Sequence, residues 1–149
     1  SGRSYEAGQT AFRETGCIQC HRFGAEGGVN GPDLTGIGKR LSAREILESI
    51  LLPSKAIAEG YAGVVMQTAD GRVLAGRIER EDASVVLLRL ASSMETPVEI
   101  KQEDVIGRRP AGVSTMPTGT VDVLQQPQIL DLLAYLLSDG NPEDARFRE

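Results

Sequence analysis

Cys17-Ile18-Gln19-Cys20-His21 is the stretch around which the rest of the chain is organised. Two thiols separated by two residues stand about one helical turn apart, and the next residue offers an imidazole. The sequence has 2 cysteines and 1 histidine, and all of them lie in this stretch. A structural zinc wants four nitrogen or sulfur ligands, so a carboxylate would have to complete the set. A thioredoxin-like centre sits at the strand-to-helix junction of a βαβ unit, and no such alternation surrounds Cys17. The remaining reading is covalent haem c, with Cys17 and Cys20 bonded to its vinyl groups and His21 on the iron.

The totals agree with that reading. A chain of 149 residues supports one compact domain, or a small domain with an insertion, better than two independent ones. The 40% hydrophobic and 25% charged shares are ordinary for a soluble protein, and no apolar run approaches the roughly 20 residues of a membrane span. A net charge of -5 and few aromatics (3 Tyr, 3 Phe, no Trp) make nucleic acid a poor partner. The start at Ser1, without a leader, reads as a processed product or a piece cut from a longer chain. Because haem c is attached outside the cytoplasm, a periplasmic or otherwise exported location is expected.

Outward from the motif, Tyr5, Gly8, Ala11 and Phe12 recur at helical spacing, which predicts a short helix over 4–15 that ends at Gly16. Gly24, Gly27, Gly28, Gly31, Gly36 and Gly38 predict irregular backbone wrapped closely around something. Ser42 with Glu45 is a capping-box pattern opening a helix that stops at Pro53. Four strands follow, at 64–68, 72–79, 85–90 and 97–100. Asp70-Gly71 reads as a hairpin turn with positive φ at both residues, and further turns are expected near Glu81-Asp82 and Ser92-Ser93. The insert is expected to hold its own core of Val64, Val73, Leu74, Ile78, Val86, Leu88, Val98 and Ile100. After a loop from Val113 to Thr120, a helix is predicted over 127–138.

With a single histidine, the second axial position cannot be another imidazole from this chain. Three methionines compete for it. Met66 lies mid-strand, where alternation points it into the insert. Met94 lies in a Ser-rich turn beside Glu95. Met116 sits in Ser114-Thr115-Met116-Pro117-Thr118-Gly119, where Pro117 stiffens the loop and Gly119 permits a turn, so Met116 is the expected ligand.

These features resemble the class I cytochrome c fold. In that family a Gly and an aromatic on the first helix cross an aliphatic and an aromatic on the last, and Gly8 with Phe12 and Leu132 with Tyr135 match. Gly31-Pro32-Asp33-Leu34-Thr35-Gly36 resembles the histidine-side segment, whose proline carbonyl receives the histidine Nδ1 hydrogen; this resemblance implies that role for Pro32. The chain is most similar to the haem-binding domain of planctomycete and verrucomicrobial c-type cytochromes. The matching strings are Glu48-Ser49-Ile50-Leu51-Leu52-Pro53-Ser54-Lys55, Glu59-Gly60-Tyr61, Asp70-Gly71-Arg72-Val73-Leu74-Ala75-Gly76 and the Met116 loop before Asp131-Leu132-Leu133-Ala134-Tyr135-Leu136. The resemblance implies a domain that ends a larger secreted polypeptide carrying a dehydrogenase-like part.

The expected architecture is a mainly α, class I cytochrome c helical fold over residues 1–149. Residues 1–58 and 113–149 form the haem-binding core, and 59–112 an inserted small antiparallel β subdomain. The expected function is a monohaem electron carrier, not itself an enzyme. A fused or docked dehydrogenase would donate, and a soluble or membrane acceptor would receive. A haem that binds peroxide or a diatomic gas at an open site is the alternative, and a docking role for the β insert is a third. The expected cofactor contacts are Cys17, Cys20, His21, Pro32, Arg40, Tyr61 and Met116, with His21 and Met116 on the iron. Arg40 and Tyr61 are candidates for the haem propionates.

Overall fold

A computed structural model describes residues 2–90 and 96–148. The chain divides into two compact units, one made of Ser1–Lys55 with Pro117–Glu149 and the other of Ala56–Met116.

In the first unit, Ser4 caps α1 (Tyr5–Glu14) by accepting the Ala7 N–H at 3.1 Å. Gly16, at φ +82°, breaks the chain sharply before α2 (Cys17–Cys20), a single turn. A two-residue hairpin follows, β1 (Arg22–Phe23) against β2 (Glu26–Gly27). Ser42 and Glu45 then cap α3 (Ala43–Leu51) reciprocally, with Glu45 Oε2 accepting the Ser42 N–H at 2.8 Å, as the capping box predicts. The last helix, α4 (Gln126–Leu137), packs on α1. Their crossing is closed by Phe12 and Leu132, at 1% and 0% exposure. Phe12, Phe23 and Tyr135 form a ring cluster with centroids 5.2–5.8 Å apart. The start of α1 is tied to α4 where the buried Asp131 carboxylate accepts the Ser4 N–H at 3.0 Å.

The second unit is an antiparallel sheet of β3 (Val64–Thr68), β4 (Val73–Glu81), β5 (Val85–Leu90), β6 (Val98–Lys101) and β7 (Val105–Pro110). Its order is β6-β5-β4-β3-β7, a meander whose last strand returns beside the first. Alternation turns Met66, Val86, Leu88 and Ile100 into one core, with Val64, Leu74, Ile78, Leu90, Val98 and Val105 packed on it. A bulge between Ile78 and Arg80 bends β4, and Arg108 of β7 reaches its far end, where Glu81 accepts both guanidinium nitrogens at 3.1 Å.

Several expectations need correction. The chain is not mainly α: it is 31% helical and 24% strand, with a five-stranded sheet. The helices are short, whereas the strands run through most of the second unit. The sheet has a strand beyond the four expected, β7, where a register shift at Gln67/Thr68 leaves Ile106 63% exposed and blurs the alternation of Val105-Ile106-Gly107. Val73 is not core; it pairs with Gln67 and is 65% exposed, while Leu74 opposite Met66 points inward. At Asp70-Gly71 only the glycine has positive φ. Asp70 instead accepts from the Thr68 hydroxyl and from Arg72 Nε, which favours a turn with one left-handed residue. The expected Ser92-Ser93 turn and Met94 lie outside the described residues.

Candidate functional site

The Cys17–Cys20 turn is closed by the His21 N–H, which donates to the Cys17 carbonyl at 2.9 Å. His21 then leaves the turn in extended conformation, so its ring departs from the helical column. The glycine-rich segment wraps this turn closely. A Cβ on Gly27 would stand 2.0 Å from the His21 carbonyl oxygen, and one on Gly28 2.0 Å from that of Gln19. At Gly31 it would stand 2.7 Å from His21 Cε1, so the imidazole lies directly on that glycine.

His21 Nδ1 is 2.7 Å from the Pro32 carbonyl oxygen. A carbonyl only accepts, so Nδ1 carries the hydrogen and Nε2 is left as the basic nitrogen. Burial lowers the His21 pKa, against the opposing pull of the Pro32 carbonyl. Neither cysteine is in a disulfide. Burial pushes the Cys17 thiol up against the bond to Thr15, and pushes the Cys20 thiol up as well. Such thiols differ from the low-pKa thiolate of a redox-active Cys-x-x-Cys. Among the described residues, no group of three or more His, Cys, Asp or Glu gathers as a metal cluster. The donor set therefore fits a covalently tethered iron macrocycle, with one imidazole nitrogen presented, better than a zinc.

Further observations of the first unit fit a large cofactor. Thr120 Oγ1 is buried with no hydrogen-bond partner, a cost that a bound polar group or a water relieves. Val29, Leu51, Leu52, Val123 and Leu130 are exposed apolar side chains of this unit. No cofactor role was expected for Thr120 or for this apolar set, since unpaired hydroxyls and uncovered leucines appear only after folding.

The first unit brings Cys17, Cys20, His21, Pro32 and Arg40 together on one continuous segment. Arg40 braces it, its guanidinium donating to the Asp33 and Thr35 carbonyls at 3.2 and 3.3 Å. Tyr61 and Met116 belong to the second unit. The Arg77 guanidinium covers the Tyr61 ring at 4.6 Å. The Met116 N–H donates to Ser114 Oγ at 3.1 Å, and Gly119 takes φ +78°, as the loop pattern required.

The cytochrome c family model matches residues 5–88, which include Cys17, Cys20, His21 and Pro32 and stop before Met116. No curated protein matches the chain.

Proposed function

The chain belongs to the cytochrome c family, and on that premise we propose that it relays single electrons from a fused or docked dehydrogenase to an acceptor outside the cytoplasm. Membership brings covalently attached haem c with its iron, haem-based electron transfer and redox partners in general; Cys17 and Cys20 are consistent with its attachment pattern. When bound, the haem supplies a one-electron couple whose potential its axial ligands set.

The chain's own residues have distinct tasks in this reading. Cys17 and Cys20 provide the thioether links and so prevent loss of the cofactor. His21 Nε2 is the proximal ligand, and the observation that carries the proposal is its partner nitrogen, held on the Pro32 carbonyl at 2.7 Å. That bond fixes the tautomer and ring plane and raises ligand basicity. Met116, on its Pro-stiffened loop, would supply a thioether to the iron that His21 holds, a ligand pair that would raise the potential. The periplasmic or exported location rests on where haem c is assembled. Among the described residues, no helix is long and apolar enough to cross a membrane. The closer kinship with planctomycete and verrucomicrobial domains rests on the strings quoted above.

The visible spectrum of the oxidised holoprotein tests this reading. The parent is expected to show the weak sulfur-to-iron charge-transfer band, and Met116→Ala to lose it. A parent without the band would favour an open, ligand-binding haem, whereas a variant that keeps it would move the sixth ligand to another sulfur; either result sinks Met116 as ligand.

A further inference from the structure

Asp139 occupies a position that local physics disfavours. It is the only non-glycine with positive φ among the described residues, at +56°. It stands just past α4 in a Schellman arrangement: the Gly140 N–H donates to the Tyr135 carbonyl and the Asp139 N–H to that of Leu136, each at 3.2 Å. Glycine or asparagine normally fills that left-handed position. A carboxylate there also faces the negative end of the helix dipole. Helix termination tolerates an aspartate here but gives its charge no task.

What the carboxylate does is hold the loop beside His21. Asp139 Oδ1 accepts the Gly36 N–H at 2.7 Å, a contact between residues 103 apart in sequence. Gly36 lies four residues beyond Pro32, on the segment whose carbonyl receives His21 Nδ1–H. On its other side the segment is tied to the stretch around His21, by the Gly31 N–H to the Cys20 carbonyl at 2.7 Å, the Leu34 N–H to the Arg22 carbonyl and the Gly24 N–H to Thr35 Oγ1, and Arg40 braces it internally through the Asp33 and Thr35 carbonyls. Asp139 is the side chain that fastens it to the end of α4. A Cβ on Gly38 would stand 2.7 Å from the Leu137 carbonyl oxygen, so the same stretch runs hard against that helix end.

We propose that Asp139 is a positioning residue for electron transfer: by anchoring Gly36 to the end of α4, it sets how closely the Pro32 carbonyl meets His21 Nδ1. The inference rests on His21 being the iron ligand. A loosened loop lengthens the Nδ1–H···O=C bond, makes the imidazole a poorer donor, and so favours the reduced iron.

The holoprotein variants Asp139→Asn and Asp139→Gly separate this role from the alternatives. Both remove the charge and both accept a left-handed φ, but only asparagine retains an acceptor oxygen. The expected result is a Gly36 amide that exchanges roughly tenfold faster in the glycine variant than in the asparagine variant, from loss of one hydrogen bond. The His21 Nδ1–H resonance moves and the reduction potential rises in the glycine variant relative to the asparagine one. Equal potentials and equal Nδ1–H resonances in the two variants would overturn the proposal, whatever their stabilities. A parent whose spectrum lacks histidine-bound iron would instead overturn the reading of His21 and this inference with it, before any variant is compared.

Discussion

Gly8 and Asp131 meet where α1 crosses α4: a Cβ on Gly8 would stand 2.3 Å from the Asp131 carbonyl oxygen, with Tyr135 Cβ only 2.7 Å away. The obstacle is helix backbone on one side and the Cβ of a packed side chain on the other, so neither side yields easily. Helix propensity favours alanine over glycine by at most about 1 kcal/mol, whereas forcing an extra methyl into a packed contact costs about 1–3 kcal/mol. Gly8→Ala is therefore expected to destabilise the protein. Denaturant unfolding followed by far-UV and aromatic signals checks this, and a stabilised variant would contradict the crossing described here.

Gly31 bears directly on the imidazole. In Gly31→Ala the new methyl would meet His21 Cε1 at 2.7 Å and Nδ1 at 2.8 Å, so the ring must rotate or the loop must retreat. Either movement weakens the bond to Pro32. The Nδ1–H resonance of the holoprotein is expected to move and its amide neighbours to exchange faster. A ring signal identical to the parent's would mean that Gly31 does not constrain His21.

Met66 is fully buried in the sheet core, in contrast to Met116 in its loop. Met66→Ala leaves a cavity and is expected to cost about 2–5 kcal/mol, while Met66→Leu, which nearly conserves volume, costs less than about 1.5 kcal/mol. Both variants should keep the sulfur-to-iron band. Loss of the band in Met66→Leu, with folding intact, would move the sixth ligand to Met66.

Glu81 ties the bent end of β4 to Arg108. Arg108 and then Gln102 hold its carboxyl below the ordinary value of 4.5. A carboxylate with a depressed folded pKa contributes stability above its unfolded pKa and loses it as pH falls through the folded value. Glu81→Gln is thus expected to melt below the parent at neutral pH, with the gap closing below roughly pH 4. A gap that persists at low pH would assign the effect to packing instead of charge. Because this pair is partly exposed, added salt should also narrow the gap at neutral pH.

Much of the site was legible because it is local. Cys17, Cys20 and His21 are contiguous, and the Ser42–Glu45 box and the Met116 loop are short patterns whose geometry nearest neighbours dictate. The wrapped glycine segment was read as enclosing something, and what it encloses is the Cys17–His21 turn itself. Strand pairing was less legible. β7 joins β3 across forty residues, and its bulge shifts alternation by one, so a two-residue period gives no warning. Val73 was placed in the core together with Leu74, although alternation turns only one of two consecutive strand residues inward. Missing β7 made the insert look smaller than the sheet that overturns the mainly α reading.

The sequence by itself determined the chemistry of attachment and the helical ends, because thiol spacing, caps and turn residues act over one or two turns of chain. Only the tertiary structure decided which glycine carries the His21 ring and that Asp139 takes a left-handed conformation to reach Gly36. Those relationships join residues brought together by packing, and a hydrogen bond between positions 36 and 139 leaves no periodicity for a sequence to display.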